Sequence, residues 1–511
     1  MLCRRLLAPF RRSQFNSVCS KLSSYSSNVS LQNELSQMQN DYSSMDKRCA
    51  VLSMELEQVN PRAVFVNNEV KFSKLHILGF DYDHTLATYT QALDEFIFNE
   101  ARSWLYPEDL LDMTYDPGFV IRGLHFDLLR GYLMKVDSYH SIQLDTVHLG
   151  LTPVEFDKTI EAYRGTYLPS TSLKRLASSR AHFGLSASDT HPTLFQLMDF
   201  FTLPEFYLIC CIIEFFERRG LNYQALHVYQ DVSSSVARVH KSGLLGLSIM
   251  GNPEMYIHPD PELGAYLNKL VSNDRKLFLI SNSSAAFIDR GLRFLIGEDW
   301  RQLFDVIITR ANKPQFFHED LNPFRHMDEC GTFKDWVGVK SLNRGHIYEG
   351  GCIGELIRLT NWNAENILYF GDHVYSDLAD LSNLQGWTTA AVIPELEHEI
   401  TVTNTEKVRN CSIRLRHLEA LINRHQHVAS PSAKALLHTW YAERAELRQF
   451  SKRSFNKHFG SIFRSFHNPS YFSRRLTQYA VLYTSRLANL DNYPLDHVFF
   501  PKRTALPHEL I

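Results

Sequence analysis

The sequence predicts an α/β fold built around a parallel sheet, and short apolar runs along the chain are the main evidence. Five such runs end in a small or polar residue: HILGFD, KLFLISN, FDVIITRANK, NILYFGD and TTAAVIPE. They show no alternation of apolar and polar residues, which is typical of strands buried on both faces of a parallel sheet. Helical stretches such as SSAAFIDRGLRFLI lie between them. Strands that alternate with helices indicate a doubly wound sheet.

The spacing of the runs predicts the domain organisation. The interval between the first and second runs is far longer than a single crossover connection and must hold a separate substructure. We therefore predict a catalytic core at residues 61–90 and 245–400, interrupted by a large cap at residues 91–244. Residues 31–60 are polar and predict a helix or a linker, and residues 401–511 begin with charged helical periodicity that predicts a C-terminal helical arm.

The composition excludes several classes of protein. The 511 residues are 44% hydrophobic and 21% charged, with a formal net charge of -3, so bulk charge gives no indication of nucleic-acid binding. No apolar run reaches the roughly 18 residues that cross a bilayer, and no membrane span is expected. The eight cysteines show no CxxC spacing, which favours a reducing compartment over a disulfide framework.

The N-terminal segment differs from the rest of the chain. Residues 1–30 are rich in serine and lack any acidic residue, and their basic residues are Arg4, Arg5, Arg11, Arg12 and Lys21. This composition is typical of a mitochondrial transit peptide. The alternative is a disordered basic tail on a cytoplasmic protein.

Polar side chains follow four of the apolar runs, where parallel strands bring their carboxyl ends to one edge of a sheet. In chain order they are Asp81 and Asp83, Ser281 and Asn282, Lys313, and Asp372 and Asp377. Carboxylates bind Mg²⁺, while a hydroxyl, an amide and an ammonium donate to phosphoryl oxygens. Each motif alone has a simpler explanation, such as a solvated turn or a helix cap. The ordered set predicts a phosphoryl-transfer site.

One mechanism fits this set. Asp81 acts as nucleophile and forms an aspartyl-phosphate, and Asp83 acts as general acid and then general base. The predicted Mg²⁺ ligands are Asp81, Asp83 and Asp372, although the side chain of Asp83 can lie off the metal and carry a proton. The predicted phosphate-binding residues are Ser281, Asn282 and Lys313. Asp377 is expected to orient Lys313 or a metal-bound water.

These motifs resemble those of haloacid dehalogenase (HAD) superfamily phosphatases, in the order DYDHT, LFLISN, Lys313 and GDHVYSD. The stretches YDPGFVIRGLHFDLLRG, KPQFF and QGWTTAAVIPEL look like the cytosolic purine 5'-nucleotidase family. Together with the presequence, this resemblance is greatest to the family's 5'-nucleotidase domain-containing, mitochondrial-type branch. The resemblance implies a HAD-like Rossmannoid core with a cap after the first strand, Mg²⁺ dependence, hydrolysis of a nucleoside 5'-monophosphate and a homo-oligomer.

The resemblance is weaker in the cap. Phe201 matches a base-stacking residue of the family, and His240 matches a substrate-binding residue in QDVSSSVARVHKSG. Ser233 and Ala237 stand where the family has Arg and Asp, so purine specificity does not carry over. Two alternatives to the phosphatase therefore stay open: a binding or scaffold protein with little or no turnover, and a nucleoside phosphotransferase. His84, where the family has Tyr, either packs locally or tunes local charge.

Overall fold

A computed structural model of the chain describes residues 29–55, 57–105, 112–169, 194–319, 321–327, 336–503 and 508. All but the last two residues of the predicted transit peptide lie outside the described residues. The chain divides into two compact units, which are described separately. One consists of residues 62–397 and 462–511, and the other of residues 1–61 and 398–461.

The strands of the described residues all belong to the first unit. They are β1 (Phe65–Val66), β2 (Val70–Lys71), β3 (Ile77–Phe80), β4 (Leu124–Asp127), β5 (Tyr132–Lys135), β6 (His148–Leu149), β7 (Thr152–Pro153), β8 (Leu194–Gln196), β9 (Lys276–Ile280), β10 (Val306–Thr309), β11 (Phe324–His326), β12 (Ile347–Gly350), β13 (Ile367–Gly371), β14 (Thr388–Val392), β15 (Arg464–Ser465), β16 (Asn468–Pro469), β17 (Leu482–Thr484) and β18 (Val498–Phe499).

Nine of these strands form one sheet in the order β1-β17-β14-β13-β3-β9-β10-β12-β11. Only the edge strands β1 and β11 pair antiparallel to their neighbours, and the other pairs are parallel. The five apolar runs correspond to β3, β9, β10, β13 and β14. The prediction of an α/β fold with a parallel central sheet is therefore confirmed.

The centre of the sheet is buried on both faces, which explains the unbroken apolar runs. Every residue of β3, β10 and β13 is buried. At Gly79, in β3, an added Cβ would lie 2.1 Å from the ring of Phe278 on the next strand, β9. Only glycine at position 79 therefore leaves room for the ring of Phe278.

The α-helices connect and cover these strands in the first unit and build the second. In chain order they are α1 (Val29–Glu55), α2 (Gln91–Ser103), α3 (Phe156–Tyr163), α4 (Thr202–Arg219), α5 (Ala225–Lys241), α6 (Leu244–Gly251), α7 (Pro253–Tyr256), α8 (Pro261–Ser272), α9 (Ala285–Leu295), α10 (Gln315–His318), α11 (Ile353–Thr360), α12 (Glu395–Asn404), α13 (Glu406–His425), α14 (Pro431–Phe455) and α15 (Tyr471–Tyr479). None of the described helices is both long enough and apolar enough to cross a membrane.

The interval between β3 and β9 contains its own antiparallel sheet, in the order β7-β6-β5-β4-β8. It also contains α4, in which Phe206 through Ile213 are buried. The remaining described residues of this interval are mainly helical and include α2, α5 and α6.

The second unit is a helical assembly of α1, α13 and α14 around an apolar core that includes Met38, Leu418 and Trp440. A polar network lies beside this core. Glu443 accepts hydrogen bonds from the hydroxyl of Tyr42 (2.7 Å) and from the guanidinium of Arg414. Because every member of the network has a charged or hydroxyl partner, the network can be buried without leaving a lone charge.

Candidate active site

The carboxyl ends of four adjacent strands carry the residues predicted from the sequence. Asp81 directly follows β3, Ser281 follows β9, Lys313 lies in the loop after β10, and Asp372 follows β13. These strands are neighbours in the order β13-β3-β9-β10. The parallel topology therefore brings residues from four distant parts of the chain to one edge.

Lys313 is the centre of the charge arrangement. Its Nζ lies 2.8 Å from Oδ1 of Asp81 and 2.7 Å from Oδ1 of Asp377, and its side chain is only 4% exposed. Burial alone would lower the pKa of Lys313, but the Asp377 and Asp81 carboxylates outweigh it and hold the pKa well above the usual value. Lys313 is therefore a fixed cation at the strand edge.

Three carboxylates at this edge could hold a metal ion. Oxygen atoms of Asp81, Asp372 and Asp377 lie within 4.8 Å of one another, and all three residues are buried. Burial is the main reason that the pKa of Asp81 is raised to about 8. The Lys313 ammonium opposes this shift, and the Asp377 and Asp83 carboxylates add to it. Three acids facing one ammonium leave an excess of negative charge that a divalent cation would offset, and oxygen donors suit Mg²⁺. The residues present therefore fit such an ion.

The geometry groups Asp377, rather than Asp83, with the other two carboxylates. The Asp83 carboxylate instead accepts hydrogen bonds from the hydroxyl of Tyr89 (2.6 Å) and the hydroxyl of Ser283 (2.7 Å). Burial raises the pKa of Asp83, although these two hydrogen bonds oppose the shift. A carboxyl group held in this way beside the cluster is suited to exchanging a proton.

The Ser-Asn pair after β9 differs in its two members. Ser281 is fully buried, and its Oγ accepts a hydrogen bond from the backbone N–H of Ser283 (3.1 Å). The side-chain amide of Asn282 donates to the carbonyl of Lys313 (3.0 Å), and its oxygen accepts from the N–H of Lys313 (2.5 Å). Asn282 therefore fixes the loop that carries the lysine. Of Ser281, Asn282 and Ser283, the last two line the cavity at the site.

The turn after β13 is built to hold two acids close together. At Gly371 an added Cβ would lie 2.3 Å from Cβ of Asp377, so only glycine fits. Nδ1 of His373 accepts hydrogen bonds from the backbone N–H groups of Tyr375 and Ser376, both at 3.1 Å, and starts the π-helical turn Val374–Ala379. This turn directs Asp377 back toward Lys313.

A cavity of about 660 Å³ opens from this edge. Asp81, Asp83 and Lys313 line one part of it, and residues of α4, α5 and α6 line another. Both predicted substrate-binding residues, Phe201 and His240, lie on its wall, with ring centroids 5.6 Å apart in an edge-to-face arrangement. A cavity of this size, with a charged end and an aromatic wall, suits a small polar ligand with a flat group.

His84 packs among aromatic rings. Its ring stacks on Phe200 at 4.2 Å and meets Phe201 edge-on at 5.1 Å. Burial lowers the pKa of His84 to about 3, so the imidazole is neutral. The packing interpretation of His84 fits this arrangement.

Four further residues lie at the site and are not among the residues predicted from the sequence. Tyr89 and Ser283 hold Asp83, while Arg122 lies beside Asp372 and pairs with Glu395. Ser283 follows the Ser-Asn pair directly and could have been suspected from that position. Arg122 and Glu395 lie in the family-like stretches YDPGFVIRGLHFDLLRG and QGWTTAAVIPEL, but neither stretch indicates the contact between them, and the fold brings them to the site.

Comparison with known proteins identifies the class. A sequence model described as the 5' nucleotidase family matches residues 64–511. The chain is 43% identical over 457 residues to the 5'-nucleotidase domain-containing protein 2 of Rattus norvegicus and of Homo sapiens. These alignments cover 88% of this chain and 80% and 86% of the two relatives. A 5'-nucleotidase domain-containing protein of Dictyostelium discoideum is 35% identical over 463 residues, covering 88% of this chain and 75% of the relative.

The chain belongs to the 5' nucleotidase family. The prediction of a 5'-nucleotidase-like phosphatase is confirmed at the level of this family.

Proposed function

We propose that the protein is a Mg²⁺-dependent phosphatase that hydrolyses a phosphate monoester, with a nucleoside 5'-monophosphate as the substrate class. The observation that carries the proposal is the buried Lys313, which bridges Asp81 and Asp377 beside Asp372 at one strand edge. Fixed positive charge next to clustered carboxylates suits the binding of a phosphoryl group together with a divalent cation. The arrangement and family membership also support a HAD-like Rossmannoid core with an inserted cap.

In the proposed mechanism Asp81 and Asp83 divide the chemistry. A carboxylate oxygen of Asp81 attacks phosphorus, and the bond from phosphorus to the leaving oxygen breaks as Asp83 gives that oxygen its proton. Water then attacks the aspartyl-phosphate, Asp83 takes the proton of the water, and the Asp81 carboxylate is regenerated with release of phosphate. The Tyr89 and Ser283 hydroxyls hold Asp83 in position for both transfers.

The remaining residues bind and orient. Lys313 and Asn282 are proposed to hold the phosphoryl oxygens. Ser281 is proposed to stabilise the loop after β9, because its Oγ accepts a hydrogen bond from the backbone N–H of Ser283. Asp81, Asp372 and Asp377 would hold the Mg²⁺, which supplies Lewis-acid stabilisation of phosphoryl charge when it is bound. Charge balance by the cation would also keep Asp81 ionised, as a nucleophile requires.

The wall formed by Phe201 and His240 supports a substrate whose leaving group carries a flat ring, such as the nucleobase of a nucleoside. Aromatic side chains give such a group stacking or edge contacts without strong selection between bases. Because Ser233 and Ala237 provide no charge, we propose weak discrimination between purines and pyrimidines.

The test is phosphate release from a panel of nucleoside and sugar monophosphates with Mg²⁺, for wild type, Asp81→Asn and Asp274→Asn. Asp274 is exposed, and its left-handed φ of 58° suits asparagine equally well, so its variant is a matched control. Release by wild type and Asp274→Asn, abolished in Asp81→Asn, supports the proposal. Release from no substrate would instead favour the scaffold alternative, and faster turnover with added nucleoside would favour the phosphotransferase.

Two further predictions stay with this proposal. A mitochondrial location rests on residues 1–30 and is tested by a fusion of residues 1–40 to a fluorescent reporter, where a cytosolic signal would contradict it. A homo-oligomer is tested by light scattering of the purified protein, where a monomeric mass would contradict it.

A further inference from the structure

Arg122 is a buried cation beside the candidate metal site. It precedes β4, and its side chain has no exposed surface. The guanidinium lies 4.0 Å from the ring centroid of Phe200 and 5.3 Å from that of Phe472. A guanidinium removed from water requires charged partners close by, because an isolated buried charge is strongly unfavourable.

Two carboxylates lie within reach of this guanidinium, and it engages them differently. Glu395 accepts two hydrogen bonds from it, both at 2.6 Å, in a bidentate pair with Nε and Nη2. The carboxylate of Asp372 lies farther away, with Oδ2 3.9 Å from Nη1. Nη1 instead donates to the backbone carbonyl of Asp372 at 3.2 Å.

This division has a consequence for Asp372. A guanidinium fork pairs with one carboxylate bidentately, and the pair with Glu395 uses that geometry. The carboxylate of Asp372 is thereby left in the cluster with Asp81 and Asp377, while its backbone is held in place. Without Glu395, Arg122 would be a buried cation with no paired carboxylate, and the carboxylate of Asp372 would be the one available to pair with it.

We propose that Glu395 is a positioning residue for the metal site, which occupies the fork of Arg122 so that Asp372 stays available to a divalent cation. The inference rests on the proposed function, because it assumes that the cluster binds a metal. Partners that orient a metal ligand typically change metal affinity by about 10- to 100-fold when they are removed.

The experiment measures Mn²⁺ binding by electron paramagnetic resonance, with no substrate and no turnover. We expect Glu395→Gln to bind Mn²⁺ at least about 10-fold more weakly than wild type, because Arg122 then pairs with Asp372. Glu397→Gln is the matched control: it lies two positions further along α12, and its pair with Arg62 is exposed and 3.4 Å long. Its affinity should equal that of wild type.

A double variant shows whether Glu395 acts through Arg122. In Arg122→Met with Glu395→Gln both charges are removed, so the affinity should recover toward that of wild type. If Glu395→Gln does not fold, Glu395→Asp replaces it: the shorter side chain keeps the charge but cannot reach the fork of Arg122 in the same bidentate geometry, so weaker Mn²⁺ binding is again expected and affinity equal to that of wild type would overturn the inference. A double variant as weak as Glu395→Gln, or a single variant as tight as wild type, would overturn the inference. No Mn²⁺ binding by wild type would instead overturn the metal site of the proposed function.

Discussion

The charge arrangement of the site is tested by replacing Lys313 with Met and measuring the free energy of unfolding. The side chains of Lys313, Asp81 and Asp377 are 4%, 10% and 1% exposed, so the pairs at 2.8 and 2.7 Å are screened little by water. Removing one partner from a buried ion pair costs about 3–5 kcal/mol, because the other charge is left buried. Methionine keeps the apolar stem, so packing changes contribute little.

The matched control is Lys269→Met. Lys269 also forms a pair at 2.8 Å, with Asp491, but these side chains are 36% and 47% exposed. An exposed pair contributes about 0–1 kcal/mol. Equal pair distances with unequal burial therefore separate the effect of burial from that of the contact.

The assay is urea denaturation of the metal-free proteins at pH 8 and at pH 5, followed by tryptophan fluorescence. At pH 8 we expect Lys313→Met to lose about 3–5 kcal/mol. At pH 5 the loss should be smaller, because the raised pKa of Asp81 lets it take up a proton and relieve the repulsion from Asp377. A loss at pH 8 no greater than that of Lys269→Met would refute this reasoning.

Two more predictions concern stability. Gly371→Ala should destabilise the protein by about 1–3 kcal/mol, because the added Cβ would lie 2.3 Å from Cβ of Asp377. A thermal melting point equal to that of wild type would contradict this prediction. Burial raises the pKa of Asp94 from 3.8 to about 7. Between these values the folded protein binds a proton that the unfolded chain releases, so the free energy of unfolding falls as pH rises from about 4 to 7. Asp94→Asn should therefore stabilise the protein at pH 8, by at most about 4 kcal/mol, and much less at pH 4 in urea denaturation; equal effects at both pH values would count against it.

The catalytic edge could be predicted from the sequence because parallel strands impose it. Asp81, Ser281, Lys313 and Asp372 each follow an apolar run, and the carboxyl ends of adjacent parallel strands meet wherever the fold is doubly wound. The apolar runs were readable because their strands are buried on both faces. The edge strand β1 and its neighbour β17 are only two and three residues long, too short to carry a periodic signal.

The partners that tune the site could not be predicted. Arg122 and Glu395 each lie in a family-like stretch, but they are 273 positions apart, and neither stretch indicates that they pair. The same holds for Tyr42 and Glu443, whose contact spans 401 positions between helices of the second unit. Such pairs depend on how distant elements pack, which the period of apolar residues along one element does not specify.

The central claim, that Asp81 carries the phosphoryl group, is tested most directly by trapping. Asp83→Asn should slow hydrolysis of the intermediate more than its formation, because water attack needs the general base. The variant is mixed with Mg²⁺ and a monophosphate that wild type hydrolyses, quenched, reduced with borohydride and digested for mass spectrometry. We predict homoserine in place of aspartate at position 81, because borohydride reduces acyl phosphates. Unmodified Asp81 under conditions where leaving group is released would contradict the account.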